Sequence, residues 1–290
     1  MPVIQQLTVI GVGLIGGSLA RALRRANFCQ RVVGCGCNES ELIKAVALDV
    51  IDHYDMNVAT AVRDADVVVL AVPLGAMENV LRSMVGHLKP EAVITDVGSS
   101  KESVVLAARR AFGAVPNQFV PGHPIAGTEN SGVEASFAEL FQRRRVILTP
   151  LPETAASATV LVRDMWVAAG ATVDEMSVAQ HDTMLAATSH LPHLLAYTLV
   201  DTLLQTDNSE QIFRFAAGGF RDFTRIASSD PVMWRDICLA NREAIVAVLE
   251  RFRQQLDVVQ GAIERGDGDA LKDIFARAKS ARDRNVRILQ

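Results

Sequence analysis

Short apolar runs separated by amphipathic stretches organise the first half of the chain. Residues 7–10 (LTVI) predict a first strand, 31–35 a second, 66–72 a third and 92–97 a fourth. Apolar positions at helical spacing lie between them, over 39–48, 76–87 and 101–112. Near-continuous apolar runs mark strands covered on both faces, as in parallel sheets. Their alternation with helices predicts a doubly wound α/β domain with a parallel sheet. Further on, 144–150 (RRVILTP) reads as a strand, 153–170 as a helix and 171–176 (ATVDEM) as a last strand. Only helices are predicted beyond it. A long apolar run over 178–205 is kinked or broken at Pro192, which lacks a helical donor. Asp230-Pro231, a capping side chain followed by proline in the first turn, starts a helix expected to run to about Arg265. At 1.5 Å per residue that helix spans roughly 50 Å, more than so small a helical region can bury alone. It is therefore expected to pack against a second subunit, as a homodimer. Residues 267–288 predict a last, charged amphipathic helix.

The first strand is followed by Gly11-Val12-Gly13-Leu14-Ile15-Gly16, which opens a helix reaching Ala26. This GxGxxG, set between strand and helix, fits a dinucleotide. The first glycine makes the tight turn, the second admits a pyrophosphate, and the third lets helix and strand pack closely. The helix N-terminus then faces the phosphates. Gly11, Gly13, Leu14, Ile15 and Gly16, with Val72 and Pro73 after the third strand, are the candidate cofactor contacts. So are Gly36 and Asn38 after the second strand. The usual ribose-binding acid is absent there: Gly36 stands in its place, with no adjacent arginine for a 2′-phosphate. Asn38 suits either ribose form. NAD is the expected cofactor, with NADP or dual use open. The domain division expected is 1–177 for dinucleotide binding and 178–290 for a Rossmann-type sheet's all-α substrate and dimerisation partner.

Composition narrows the class. The 290 residues are 49% hydrophobic and 21% charged, which suits a well-cored globular protein, and the length leaves no room for an appended regulatory domain. A net charge of −4 with both signs interspersed argues against a nucleic-acid binder. The Arg143-Arg144-Arg145 run reads as a solvated strand entry. Four cysteines are too few for a disulfide scaffold, and Cys35-Gly36-Cys37 is too sparse for zinc. No uninterrupted apolar stretch is long enough to span a bilayer and no basic segment precedes the first strand, so no membrane contact and a cytoplasmic location are expected.

Candidate chemistry sits after the fourth strand, in Asp96-Val97-Gly98-Ser99-Ser100-Lys101, and in Gly122-His123-Pro124-Ile125-Ala126-Gly127-Thr128-Glu129. Ligands of doubly wound sheets bind beyond the carboxyl ends of strands, so Ser99 and His123 can both face a nicotinamide. Oxidising an alcohol needs a base for the hydroxyl proton, a role neutral histidine suits. Ser99 could fix its tautomer and orientation. Taken alone, His123 is also compatible with a structural histidine in a Pro/Gly loop.

Three segments carry a more specific likeness: GHPIAGTENSGVEAS (122–136), SHLPH (189–193) and GGFRDFTRIASSDPVMW (218–234). With the glycine fingerprint they resemble, in order and over nearly the whole chain, the prephenate/arogenate (cyclohexadienyl) dehydrogenases. The resemblance implies NAD(P)-dependent oxidative decarboxylation of prephenate or arogenate, in tyrosine biosynthesis. It implies that His123 accepts the ring hydroxyl's proton and that Ser99 orients His123 near the cofactor. Arg225 would bind a substrate carboxylate with its bidentate guanidinium. His193, Thr128 and Ser189 would line the substrate pocket, with Trp234 and Ser229 near it. Asp222 would hold Arg225 by an ion pair, and Glu129 would gate the pocket. It also implies dimerisation through the helical domain.

Other readings stay open on residues alone. Trp234 suits a core aromatic, Arg225 a surface arginine, and His190 and His193 core histidines. A zinc site from His123, His190 and His193 lacks supporting spacing. A β-hydroxyacid or polyol-phosphate dehydrogenase typically relies on a lysine in its helical half, yet 178–263 contains none. A dinucleotide-sensing protein without turnover is the non-enzymatic alternative.

Overall fold

A computed structural model describes residues 3–128 and 130–285. The chain begins with β1 (Ile4–Ile10), α1 (Leu14–Arg25), β2 (Cys29–Cys35), α2 (Glu39–Ala47), β3 (His53–Asp55) and α3 (Val58–Ala61). It continues with β4 (Val67–Leu70), α4 (Met77–Arg82), β5 (Val93–Asp96), α5 (Lys101–Phe112) and β6 (Phe119–Val120). These six strands form a parallel sheet ordered β3-β2-β1-β4-β5-β6. The order in which strands are added reverses between β1 and β4, the switch point at whose carboxyl ends doubly wound sheets bind ligands.

Apolar cores cover both faces of that sheet, as its unbroken apolar strands require. One gathers Leu7, Val9, Leu19, Leu23, Phe141 and Trp166, the other Val68, Leu70, Met77, Leu81, Val104 and Phe119. The Trp166 ring meets Phe141 edge-on, with centroids 5.1 Å apart.

Three strands went unpredicted. β3 is a polar three-residue edge strand, and β6 and the next strand, β7 (Gly122–Pro124), are short pieces separated by Pro121. Runs this brief carry no readable period. β7 pairs antiparallel with β8 (Arg145–Leu148), which follows the loop after it. α6 (Ala156–Ala168) then returns the chain to β9 (Thr172–Glu175), parallel to β8. The small sheet matters because His123 is the middle residue of β7, paired with Ile147.

Helices follow: α7 (Val178–Leu185), α8 (Leu191–Leu204), α9 (Ser209–Arg214), α10 (Gly218–Thr224) and α11 (Pro231–Ala240). The interruption expected at Pro192 is a π-turn over Ala186–His190, just before the proline, which sits in the first turn of α8. The wider turn relieves the clash a proline ring makes with the preceding turn. The predicted helix start is present: the Asp230 carboxylate accepts from the Met233 N–H at 2.7 Å, ahead of Pro231. The single helix to Arg265 is not. α11 stops at Asn241, whose backbone leaves helical geometry at φ −110 and ψ 34, and α12 (Arg242–Glu264) begins anew. The side chain of Asn241 accounts for the stop, since it is drawn inward to hydrogen-bond with α7 and the π-turn.

The chain forms two compact units, Met1–Arg242 and Glu243–Gln290. In the second, α12 turns at Gly266 (φ +65) into α13 (Gly268–Asn285). Val246, Leu249, Leu256, Val258 and Ile263 stand exposed on α12, and Phe275 on α13. Among the described residues no helix is long and apolar enough to cross a membrane.

Candidate active site

The cofactor cradle follows from three glycines doing different jobs. Gly11 adopts φ +94 and a Cβ there would lie 2.2 Å from the Ala71 carbonyl oxygen. Gly16 packs α1 on β1, its missing Cβ 2.2 Å from the Gly11 oxygen and 2.8 Å from Val9. Gly13, the N-cap of α1, has nothing within 4 Å of its Cβ position and no side chain capping the helix. That open, uncapped N-terminus fits a pyrophosphate. Leu14 and Ile15 form the first turn of α1, half-buried, while Val72 and Pro73 follow β4 at the switch point. Replacing Gly16 with Ala should destabilise the domain by about 1–3 kcal/mol through overpacking and weaken dinucleotide binding. Thermal melting with and without NAD measures both effects, and an unchanged melting temperature would contradict the packing role.

Gly36 and Asn38 follow β2. The Asn38 amide oxygen caps α2, accepting from the Ser40 N–H at 3.1 Å and the Ser40 hydroxyl at 2.8 Å. Glu39 accepts the Tyr54 hydroxyl at 3.0 Å, and Asp55 ends β3 in register with Cys35. Cys35 itself is buried and Cys37 exposed. The described residues contain no group of three or more His, Cys, Asp or Glu side chains able to hold a metal.

β7 holds half-buried His123 through a buried ion pair. The Lys101 ammonium, fully buried at the start of α5, bonds the Asp96 carboxylate and donates to the Gly122 carbonyl at 2.6 Å. Asp96 in turn accepts from the N–H groups of Gly98 (2.7 Å) and Gly122 (3.1 Å). Both backbone groups of the residue before His123 are therefore clamped, and the charges are paired as burial demands.

The expected partner of His123 is not the actual one. Ser99, half-buried in the loop after β5, makes no hydrogen bond to it. Packing of α7 on α5 instead puts fully buried His181 against the ring, its Nε2 2.9 Å from His123 Nδ1. His181 Nδ1 lies 2.7 Å from an Asp182 carboxylate oxygen. Asp182 accepts from the Lys101 and Glu102 N–H groups at 2.8 and 2.9 Å, capping α5 from a neighbouring helix. Burial raises the Asp182 pKa, but the His181 bond and those backbone donors outweigh it and hold the carboxyl below its usual value. Burial, then the neighbouring His181, Lys101 and His190, hold His123 well below 6.5, so its ring is neutral at neutral pH.

A second histidine group stands on the π-turn and α8. His193 Nδ1 donates to the Ser189 carbonyl at 2.9 Å, and its ring stacks on Trp234 with centroids 3.8 Å apart. Burial, and to a lesser degree proximity to the Arg225 guanidinium, lower the His193 pKa. His190 is buried, with its pKa pushed down to about 4 by that burial. Its Nδ1 lies 3.1 Å from the Asn241 amide, which also donates to the Asp182 carbonyl at 2.8 Å. Among the described residues, nothing hydrogen-bonds the buried Nε2 of His190 or the buried indole nitrogen of Trp234.

The remaining candidates lie on connecting segments. Thr128 is exposed and accepts from the Asn130 N–H at 3.2 Å. The Ser229 carbonyl, after a 3-10 turn over Arg225–Ser228, accepts the Tyr197 hydroxyl at 2.6 Å. Asp222 and Arg225 are both exposed, where an ion pair between them would be worth little. Glu129 lies outside the described residues. Sequence reasoning missed Lys101, His181, Asp182 and Asn241. A readable signal existed for two of them: adjacent polar residues, His181-Asp182, interrupt an apolar helical run.

Comparison with known families matches residues 19–175 to the nucleotide-binding domain of prephenate dehydrogenase, and 177–277 to its dimerization domain. The chain is 41% identical over 287 residues to a cyclohexadienyl dehydrogenase of Zymomonas mobilis, covering 97% of this chain and 96% of that one. It is 37% identical over 285 residues to a prephenate dehydrogenase of Bacillus subtilis, covering 96% and 75%. Among solved structures it is similar to Aquifex aeolicus prephenate dehydrogenase in complex with hydroxyphenyl propionate and NAD+, at TM-score 0.89 and 37% identity over 98% of each chain. It is also similar to Synechocystis arogenate dehydrogenase, at TM-score 0.82 and 26% identity over 97% and 99%.

Proposed function

The chain belongs to the prephenate dehydrogenase family, and from that premise we propose that it oxidatively decarboxylates prephenate or arogenate, with NAD as the hydride acceptor. The observation that carries this reading is a neutral His123, hydrogen-bonded to a buried His181–Asp182 pair and standing on β7 next to the parallel sheet that carries the glycine cradle. A dinucleotide held by Gly11, Gly13 and Gly16 would supply the acceptor for the hydride that leaves the hydroxyl-bearing ring carbon. His123 draws the hydroxyl proton as the carbon–oxygen double bond forms. The bond to the opposite carboxyl group then breaks, its electron pair enters the ring, and carbon dioxide leaves. His123 returns its proton to the phenolate oxygen, so the base is neutral again at the end of the cycle. Aromatisation drives the step, which leaves orientation and charge stabilisation to the protein.

Arg225 binds a substrate carboxylate, and His193, stacked on Trp234, offers its Nε2 toward the substrate side chain. Ser99, Ser189, Thr128, Ser229, Asp222 and Glu129 complete the site in this reading, Ser99 beside the cofactor. Glu39 and Asp55, close to the end of β2, favour NAD over a 2′-phosphorylated dinucleotide. We place the functional division at residues 177/178, ahead of α7. Dimerisation through the helical part would cover the exposed apolar residues of α12.

The test is to supply prephenate and arogenate separately, each with NAD and with NADP, and follow cofactor reduction together with release of the 4-hydroxyphenyl product. Reduction with NAD and one of the two substrates is expected. No reduction in any of the four combinations would sink the assignment.

A further inference from the structure

We propose that His181 and Asp182 are positioning residues that set the tautomer of His123, making Nε2 of His123 the atom that receives the substrate's proton. The proposal deepens the reading of His123 as the base and rests on it.

The argument is donor and acceptor accounting along one chain of contacts. Asp182 is ionised and can only accept. Its oxygen lies 2.7 Å from His181 Nδ1, so that nitrogen carries the hydrogen. A neutral His181 then has its lone pair on Nε2. That atom is 2.9 Å from His123 Nδ1, which must therefore be the donor. The lone pair of neutral His123 is left on Nε2. Each link fixes the next, and the origin is the N-terminus of α5, whose Lys101 and Glu102 N–H groups hold Asp182 in place.

The other charged groups nearby do not disturb this order. The Lys101 ammonium is occupied by Asp96 and the Gly122 carbonyl, and His190 Nδ1 faces the Asn241 amide. When His123 takes the proton, its charge is met by Asp182 through the intervening imidazole, while Lys101 opposes it. A direct acid–histidine pair does the same work in the Ser-His-Asp arrangement. There, changing the acid to its amide inverts the tautomer and lowers turnover by about 10⁴.

Asp182→Asn should invert the chain here. With its oxygen on the Glu102 N–H, the new amide presents its nitrogen to His181 Nδ1 at the position that in Asp182 also accepts the Lys101 N–H; His181 Nε2 then carries a hydrogen, and His123 is forced to protonate Nε2. We expect kcat to fall by roughly a hundredfold or more, with KM and NAD affinity within about threefold. His181→Gln, whose amide oxygen still accepts from His123 Nδ1, should lose less. The double variant should return to the level of His181→Gln, because glutamine can present its oxygen whatever occupies position 182. Nitrogen-15 NMR of histidine-labelled protein reads the tautomer without turnover. The parent should show His123 protonated at Nδ1, and Asp182→Asn should show it at Nε2.

A parent His123 protonated at Nε2, or an Asp182→Asn enzyme that shows the inverted tautomer yet keeps its kcat, would overturn the proposal. Because Asp182 also caps α5, and its Oδ1 accepts from the Lys101 N–H as well as from His181, its amide variant could fail to fold or keep the parent tautomer. In either event His181→Phe, which removes the acceptor, must lose more kcat than His181→Gln, and equal losses refute the idea. His123→Asn separates the two levels: full activity there removes the base itself, whereas an inactive His123→Asn beside a fully active, tautomer-inverted Asp182→Asn removes only the positioning chain.

Discussion

Replacing His123 with Asn lowers kcat by about 10²–10⁴-fold, the range for losing a positioned acid–base group, while NAD still binds. The asparagine keeps a polar group on β7 but has no titratable lone pair. The cradle of Gly11, Gly13 and Gly16 belongs to the β1–α1 turn and the start of α1 and is untouched. Stopped-flow turnover with prephenate and a fluorescence titration with NAD measure the two effects separately. Activity within a few-fold of the parent would remove His123 from the chemistry. The same residue predicts the pH profile. Burial, with His181, Lys101 and His190 nearby, keeps His123 unprotonated well below pH 6.5, although Asp182 and Asp96 pull His181 the other way. Because the neutral ring is the active form, kcat should hold as pH falls through 6.5 and decline only at lower pH. A decline centred at or above 6.5 would contradict a half-buried, neutral base.

Arg225→Ala should raise KM for the substrate by roughly tenfold to a hundredfold. A hydrogen bond to a charged group is worth about 1.5–3 kcal/mol, and each 1.4 kcal/mol is a factor of ten. If the carboxylate contact is made equally in ground and transition states, kcat is spared and kcat/KM carries the loss. Arg225→Lys should recover only part, since a point charge cannot reproduce a planar fork. Initial rates over a range of substrate concentration settle it. A KM equal to the parent's would show that the guanidinium binds elsewhere.

Much of this was legible because it depends on near neighbours. Alternating apolar runs and helical spacing specify the parallel sheet, and a glycine at position 11 or 16 answers to a steric demand a few residues away or on the adjoining strand. β3, β6 and β7 escaped notice because two or three residues display no period. The boundary at Asn241 was hidden for a different reason. Nothing near it in sequence ends the helix; its side chain turns inward to bond α7 and the π-turn, 59 and 51 residues distant.

The chain alone determined a nucleotide-holding sheet followed by helices, and it marked His123 as the residue to watch, since backbone periodicity and glycine sterics are local properties. Tertiary structure decided how that histidine is held. Ser99 is the nearer candidate in sequence, yet the ring's partner is His181, 58 residues away, brought in by the packing of one helix on another. Hydrogen-bond partners across such distances are chosen by how helices and strands dock, and no pattern within either segment encodes that choice.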